Sequence, residues 1–274
     1  MRKPDFIIVG AMKAGTSSLV RLLREVPGLF VLNETNYFCQ KDDISQGFEA
    51  YCKLFEQCPE DGLAGEKCPA YSFWPDVPGR IVRRLPDLKL VWILRDPVDR
   101  AYSNYWHLVG NGNEIHSFEG AVDLELKNRQ SIGIRRYLER SNYATQIERF
   151  LEFFPRSQML FLRSDMLRSD SLGVLRTVCD FLGYSGSDQL GVPDRLDANK
   201  TAMPRWPFVL WMARRIFGKK RPFYAIQRLT KRAQPGYPAM DGELRKRLRG
   251  HFLPIVERTA DLTGLDLDCW KVKT

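Results

Sequence analysis

Gly10-Ala11-Met12-Lys13-Ala14-Gly15-Thr16-Ser17-Ser18 gathers small residues, one lysine and three hydroxyl side chains into nine consecutive positions. Small residues let backbone N–H groups approach a phosphate, and Lys13 adds a point charge. A helix beginning just after the loop would bring the positive end of its dipole to the same anion. The chemistry such a loop serves is capture of a phosphorylated ligand and stabilisation of a departing anionic group. In the ATP-binding pattern G-x-x-x-x-G-K-[ST] the lysine directly follows the second glycine. Here Thr16 occupies that place and Lys13 stands two positions before Gly15, which argues against ordinary ATP chemistry. A second constellation is Leu94-Arg95-Asp96-Pro97, with Arg100 and Ser103 beyond it. An arginine carried to the C-terminal end of a buried strand sits where α/β folds bind ligands. The guanidinium fork of Arg95 and the hydroxyl of Ser103 suit a second phosphate.

The elements that must position these residues are legible as periodic patterns. Phe6-Ile7-Ile8-Val9 is a short β-branched run, followed by the loop and then by a helix whose Leu19, Leu22, Leu23 and Val26 recur on one face. Thr16 or Ser17 is the expected cap of that helix, and Pro27-Gly28 its end. Leu88 to Leu94 reads as a strand buried on both faces, and a helix is expected over Ala101 to Leu108. Further expectations are a helix over Ser141 to Phe154, a strand over Met159 to Arg163 and a helix over Leu172 to Leu182 closed by Gly183. Gly183 to Pro204 reads as a long loop. Trp206 to Arg232 is basic with apolar residues interleaved: a helix covering the core, or a surface for a membrane or an acidic polymer. A final helix is expected from about Asp241, with Leu244, Leu248, Phe252 and Ile255 on one face. Strands alternating with helices imply an α/β fold with a P-loop-like central parallel sheet flanked by helices on both faces, in one domain over residues 1–274.

The chain has 274 residues, 44% of them hydrophobic, enough for a sizeable core. Its 42 Lys and Arg against 33 Asp and Glu give +9, which favours anionic partners. The six cysteines show no C-x-x-C spacing and there are three histidines, so no zinc site is expected. Phe6 to Val9 is too short for a signal-peptide core, and no stretch approaches the length of a membrane span. Reduced thiols, a cytoplasmic location and a coincidental Asn199-Lys200-Thr201 sequon are the expectations. His107 and His116 are candidate bases, although bland structural roles suit them as well.

In combination the two phosphate motifs resemble the sulfotransferases that use 3′-phosphoadenosine-5′-phosphosulfate (PAPS). Gly10 to Ser18 is similar to that family's 5′-phosphosulfate loop, and Arg95 to Ser103 to its 3′-phosphate motif. Asn33-Glu34-Thr35-Asn36-Tyr37-Phe38, Glu66-Lys67-Cys68-Pro69-Ala70-Tyr71, Ser141-Asn142-Tyr143 through Gln146 and Tyr237-Pro238-Ala239-Met240 follow in the family's order. The branch with heparan-sulfate-type glycan sulfotransferases and their bacterial relatives is the most similar. The resemblance implies Glu34 as catalytic base, Lys13 as stabiliser of the leaving nucleotide and Lys67 beside donor and acceptor. It implies donor contacts from Lys13, Ala14, Gly15, Thr16, Ser17, Ser18, Arg95, Ser103 and Arg205. Asn33 and Asn36 stand where that branch carries lysine and histidine. The implied reaction moves a sulfuryl group from PAPS to a hydroxyl, less readily an amine, without a metal. The implied acceptor is a glycan first, a lipid or small hydroxylated metabolite second, and nucleic acid is not an expected partner. A P-loop small-molecule kinase and a non-catalytic nucleotide- or polyanion-binding module are the competing readings.

Overall fold

Phe6–Gly10 forms strand β1, and all five of its residues are buried. Successive strand side chains point to opposite faces, so burial at every position means that both faces are covered. In the computed structural model, which describes residues 1–40, 44–127, 135–185, 203–230 and 237–271, four strands join it. They are β2 (Leu29–Leu32), β3 (Leu63–Lys67), β4 (Lys89–Leu94) and β5 (Met159–Arg163). Every pairing is parallel, in the order β2-β3-β1-β4-β5. The helices are α1 (Thr16–Arg24), α2 (Ile44–Lys53), α3 (Val77–Arg84), α4 (Pro97–Gly110), α5 (Phe118–Lys127), α6 (Tyr143–Leu151), α7 (Met166–Ser169), α8 (Ser171–Leu182), α9 (Pro207–Phe217), α10 (Arg221–Thr230) and α11 (Gly242–Thr263). The expected parallel α/β sheet with flanking helices is what the chain forms.

The chain divides into two compact units, each discontinuous in sequence. The first holds the sheet and comprises Met1–Arg95, Tyr143–Asp197 and Ile255–Leu267. Leu19, Leu22 and Leu23 of α1 are fully buried there, as their spacing requires, and Trp92 of β4 meets Phe150 of α6 edge-on at 5.1 Å between centroids. The second comprises Asp96–Asn142, Ala198–Pro254 and Asp268–Thr274. Its interior includes Tyr102, Tyr105, Phe118 and Tyr137 in mutual ring contact. The Arg100 guanidinium is fully buried, with Nε donating to Ser141 Oγ at 2.6 Å and Nη2 to the Tyr137 carbonyl.

Several boundaries differ from the sequence expectation, each for a local reason. α4 begins at Pro97, four positions before Ala101, because the Asp96 carboxylate accepts from the N–H groups of Val98 and Asp99 and proline fits the first helical turn. α6 is shorter than Ser141 to Phe154, since residues 139–141 form a separate 3₁₀ turn and the chain leaves helical geometry after Leu151. The buried face of α11 continues through Val256 rather than Ile255, which is only half-buried. The segment after Trp206 is two helices, broken at Gly218 with φ +58°. Residues 186–202, with the sequon and most of the expected loop, lie outside the described residues, as do residues 231 and 232.

Candidate functional site

The strand order fixes where a ligand belongs. The connection from β1 runs to β2 on one side of the sheet and the connection from β4 to β5 on the other. The gap between the C-terminal ends of β1 and β4 is therefore the switch point of the fold. Gly10 to Gly15 leaves β1 there and Arg95 leaves β4. At Gly10 a Cβ would come within 2.7 Å of Ser72 Oγ, so only glycine lets the strand end pack this closely. Lys13 (φ +69°) and Gly15 (φ +105°) both take left-handed backbone, rare for a lysine and natural for a glycine. The loop curls accordingly: Ala14 N–H donates to Ala11 O at 3.1 Å, and Ser18 N–H to Gly15 O at 2.9 Å. Ala11 N–H donates to Ile93 O at 2.7 Å, and Arg95 Nη1 to Lys13 O at 3.3 Å, which ties the loop to the end of β4.

The cap of α1 is Gly15, not Thr16 or Ser17. Thr16 is the first helical residue, because the left-handed glycine already completes the turn out of the loop. The helix has no side-chain cap and no acidic residue in its first turn. The positive end of a helix with this start is able to receive an anion from the loop side.

Two further segments of the first unit meet this helix start. Lys67, the last residue of β3, is nearly buried, and its Nζ lies 2.9 Å from Glu34 Oε1 and 3.4 Å from Ser17 Oγ. Glu34 itself is about half exposed, its side chain 46% accessible, so a solute can reach the carboxylate. Three residues picked from separate motifs, Ser17, Glu34 and Lys67, are therefore brought together around one ammonium group.

Glu66 holds this arrangement from below and was not singled out by the sequence reading. Its fully buried carboxylate accepts from Thr35 N–H at 2.8 Å, Thr35 Oγ1 at 2.7 Å and Tyr51 OH at 2.9 Å, with Tyr71 OH at 3.3 Å. Burial pushes its pKa up, while the bonds from Thr35, Tyr51 and Tyr71 pull it down. Burial and then the Glu66 charge raise Tyr51 and Tyr71 in turn, keeping both hydroxyls protonated as donors. Thr35 adjoins Glu34, so Glu66 fixes the segment that presents Glu34 to Lys67. Glu66→Leu removes the common acceptor and is expected to cost about 1–3 kcal/mol for each donor left desolvated, read as a lower denaturant midpoint. An unchanged midpoint would remove Glu66 as the anchor of this segment.

The remaining candidates are placed as follows. Arg95 is half-buried and its carbonyl accepts from Tyr143 OH at 2.9 Å. Ser103 is buried on α4, in the second unit. Arg205, also in the second unit, is exposed, with its guanidinium 5.3 Å from the Trp206 ring centroid. His107 Nε2 lies 3.2 Å from Asn111 Nδ2 one helical turn on, the local pairing of a structural histidine.

Comparison with known proteins adds an independent line. A sulfotransferase-domain family profile matches residues 3–200. Human heparan sulfate glucosamine 3-O-sulfotransferase 3B1 is 30% identical over 274 aligned residues, which cover 96% of this chain and 64% of that protein. The mouse 3A1 enzyme is 34% identical over 183 residues, 66% of this chain and 46% of that one. The chain thus spans under two thirds of the length of these relatives. A sulfotransferase from Alicyclobacillus acidocaldarius has a solved structure that superposes with a TM-score of 0.74 at 28% identity, covering 98% of this chain and 99% of that one.

Proposed function

Because the chain belongs to the sulfotransferase family, we propose that it moves the sulfuryl group of PAPS to a hydroxyl, less readily an amine, of a glycan acceptor. The observation that carries this reading is the Lys67 ammonium held between Ser17 of the donor loop and the reachable carboxylate of Glu34. Such an arrangement joins the place where an anionic donor binds to a group able to take a proton.

In the proposed reaction the acceptor oxygen attacks sulfur in line as the bond from sulfur to the bridging phosphate oxygen breaks. The acceptor's proton passes to Glu34, and adenosine 3′,5′-bisphosphate leaves. Lys13, the N–H groups of the loop through Thr16 and the start of α1 hold the negative charge that grows on the departing 5′-phosphate. Ser17 and Ser18 offer hydroxyl donors, and Lys67 orients Glu34 and faces the transferred group. Arg95 and Ser103 are assigned to the 3′-phosphate, and Arg205 to a late donor contact. The glycan class is supported by the human and mouse relatives, both heparan sulfate glucosamine 3-O-sulfotransferases. A cytoplasmic site of action is part of the proposal.

The direct test is incubation with PAPS labelled in the sulfuryl group and a panel of desulfated glycans, lipids and phenols. Label is expected in a glycan. Nucleotide binding without transfer to any acceptor overturns the enzymatic reading, and magnesium-dependent ATP turnover would restore the kinase. The 3′ assignment has its own test. Arg95→Ala is expected to weaken adenosine 3′,5′-bisphosphate by about 2–5 kcal/mol, and adenosine 5′-monophosphate far less, in calorimetry. Some loss is common to both nucleotides because Arg95 also braces the Lys13 carbonyl. Equal losses would put the 3′-phosphate elsewhere.

A further inference from the structure

We propose that the hairpin of α9 and α10 is an interfacial element that seats the protein on an anionic lipid bilayer. Residues 203–230 contain seven basic side chains and no acidic one, so this short stretch carries most of the chain's net charge of +9. A solvated basic face is ordinary; the apolar content of this one is not. Phe208, Met212 and Ile216 recur every four residues along α9 and are 60%, 39% and 64% exposed, with Val209 beside them. Arg215 stands next to Ile216 of this stripe on α9, and Lys219, Lys220 and Arg221 crowd the turn between the helices, all exposed.

The hairpin does not need this stripe for its own packing. Leu210, Ala213 and Phe223 are buried together, with Phe217 and Ile226 against them, so the inner faces already close on each other. Tyr224 and Leu229 of α10 are 52% and 80% exposed in addition. Apolar residues exposed as a contiguous row mark an interaction surface, whereas single ones do not. A helix with aromatic and aliphatic residues on one face and Lys and Arg beside them lies in the plane of a membrane interface, the stripe among the acyl chains and the cations among the headgroups. A sulfated glycan would satisfy the cations but offers nothing to Phe208, Met212 and Ile216. The apolar row therefore selects a lipid surface over an acidic polymer. The inference does not depend on the catalytic reading.

Flotation of the full chain with vesicles tests it. Binding is expected to vesicles of phosphatidylcholine mixed with phosphatidylglycerol, to fall with added salt, and to be weak with phosphatidylcholine alone. Lys219→Ser, Lys220→Ser and Arg221→Ser together should lower partitioning about 100-fold. Phe208→Ser with Ile216→Ser should lower it on the order of tenfold or more at full charge. All five side chains are exposed, so melting temperatures should hold. A readout without loss of stability is tryptophan emission from Trp206 and from Trp211, which stacks on Phe208, expected to shift to the blue on vesicle addition in the wild type and less in Trp206→Phe. Binding that survives loss of the apolar pair, and is competed by a sulfated glycan, overturns the proposal in favour of a polyanion surface. Absence of binding to any vesicle overturns it outright, and a change of oligomeric state in the apolar variant would then give the stripe to a second copy of the chain.

Discussion

Glu34→Gln is expected to bind PAPS normally while single-turnover transfer falls about 10²–10⁴-fold, the usual contribution of a general base. The substitution preserves side-chain length and keeps one oxygen for Lys67, which lies 2.9 Å from Oε1, but the amide cannot accept the acceptor's proton. Glu34 is half exposed and contributes little burial, so the melting temperature should move by no more than the value of a partly exposed ion pair, within about 1 kcal/mol. The contrast with Glu66 is the informative part. Glu66→Leu acts through the segment that carries Glu34 and lowers stability together with rate, whereas Glu34→Gln lowers rate alone. Measuring both variants at saturating acceptor separates a reacting carboxylate from one that only holds the chain in place. Transfer by Glu34→Gln at the wild-type rate would pass the proton to another group.

The strands that were plain in the sequence are those that are mostly buried. β1 is buried at every position and β4 at every position but Lys89, while β5 keeps a continuous apolar run from Met159 to Leu162; such runs need no context to be recognised. β3 is Leu-Ala-Gly-Glu-Lys, and its pattern fails for functional and packing reasons at once. Gly65 lies against the Phe6 ring, where a Cβ has no room, while Glu66 and Lys67 carry the polar network of the site. A strand that delivers two charged residues to a ligand edge loses the hydrophobic signature by which it would be found. β2 is four residues between a proline-glycine turn and a polar loop, too short to stand out.

The site was legible in parts rather than as an assembly. Lys13, Glu34 and Lys67 were marked by motif order, and Arg95 by its place at a strand end. The meeting of Ser17 and Glu34 at the Lys67 ammonium was not, because it depends on β3 lying beside β1, and β3 was not recognised. The anchoring role of Glu66 was hidden for the same reason. Its donors come from Thr35, Tyr51 and Tyr71, three segments that periodicity cannot bring together. The helix cap shows the opposite case, a local question with a local answer: Gly15 at φ +105° makes a hydroxyl cap unnecessary, and Thr16 opens the helix instead of capping it.

The displaced lysine of the loop yields the second large effect. Lys13→Ala is expected to lower turnover by about 10² or more, the scale of losing one donor aimed at developing charge. The backbone at this position sharpens the test. Lys13 sits at φ +69°, a conformation that costs alanine about what it costs lysine, so Lys13→Ala removes the charge without changing the strain. Lys13→Gly removes the same charge but favours the left-handed turn, and its greater freedom in the unfolded chain opposes that gain. The carbonyl of residue 13 still accepts from Arg95 in both, so the loop keeps its tie to the end of β4. If the ammonium stabilises the leaving nucleotide, both variants should lose similar amounts of turnover although their backbone preferences differ. If Lys13 matters through loop shape, Lys13→Ala, which leaves the strain unchanged, should keep its turnover, and Lys13→Gly, which changes the backbone preference, should not. Lys13→Arg, with charge kept on a planar head, should fall between wild type and alanine, since a guanidinium cannot take the place of a compact ammonium without moving. Turnover near wild type in Lys13→Ala would remove this residue from the mechanism and leave the loop amides and the start of α1 to carry the charge.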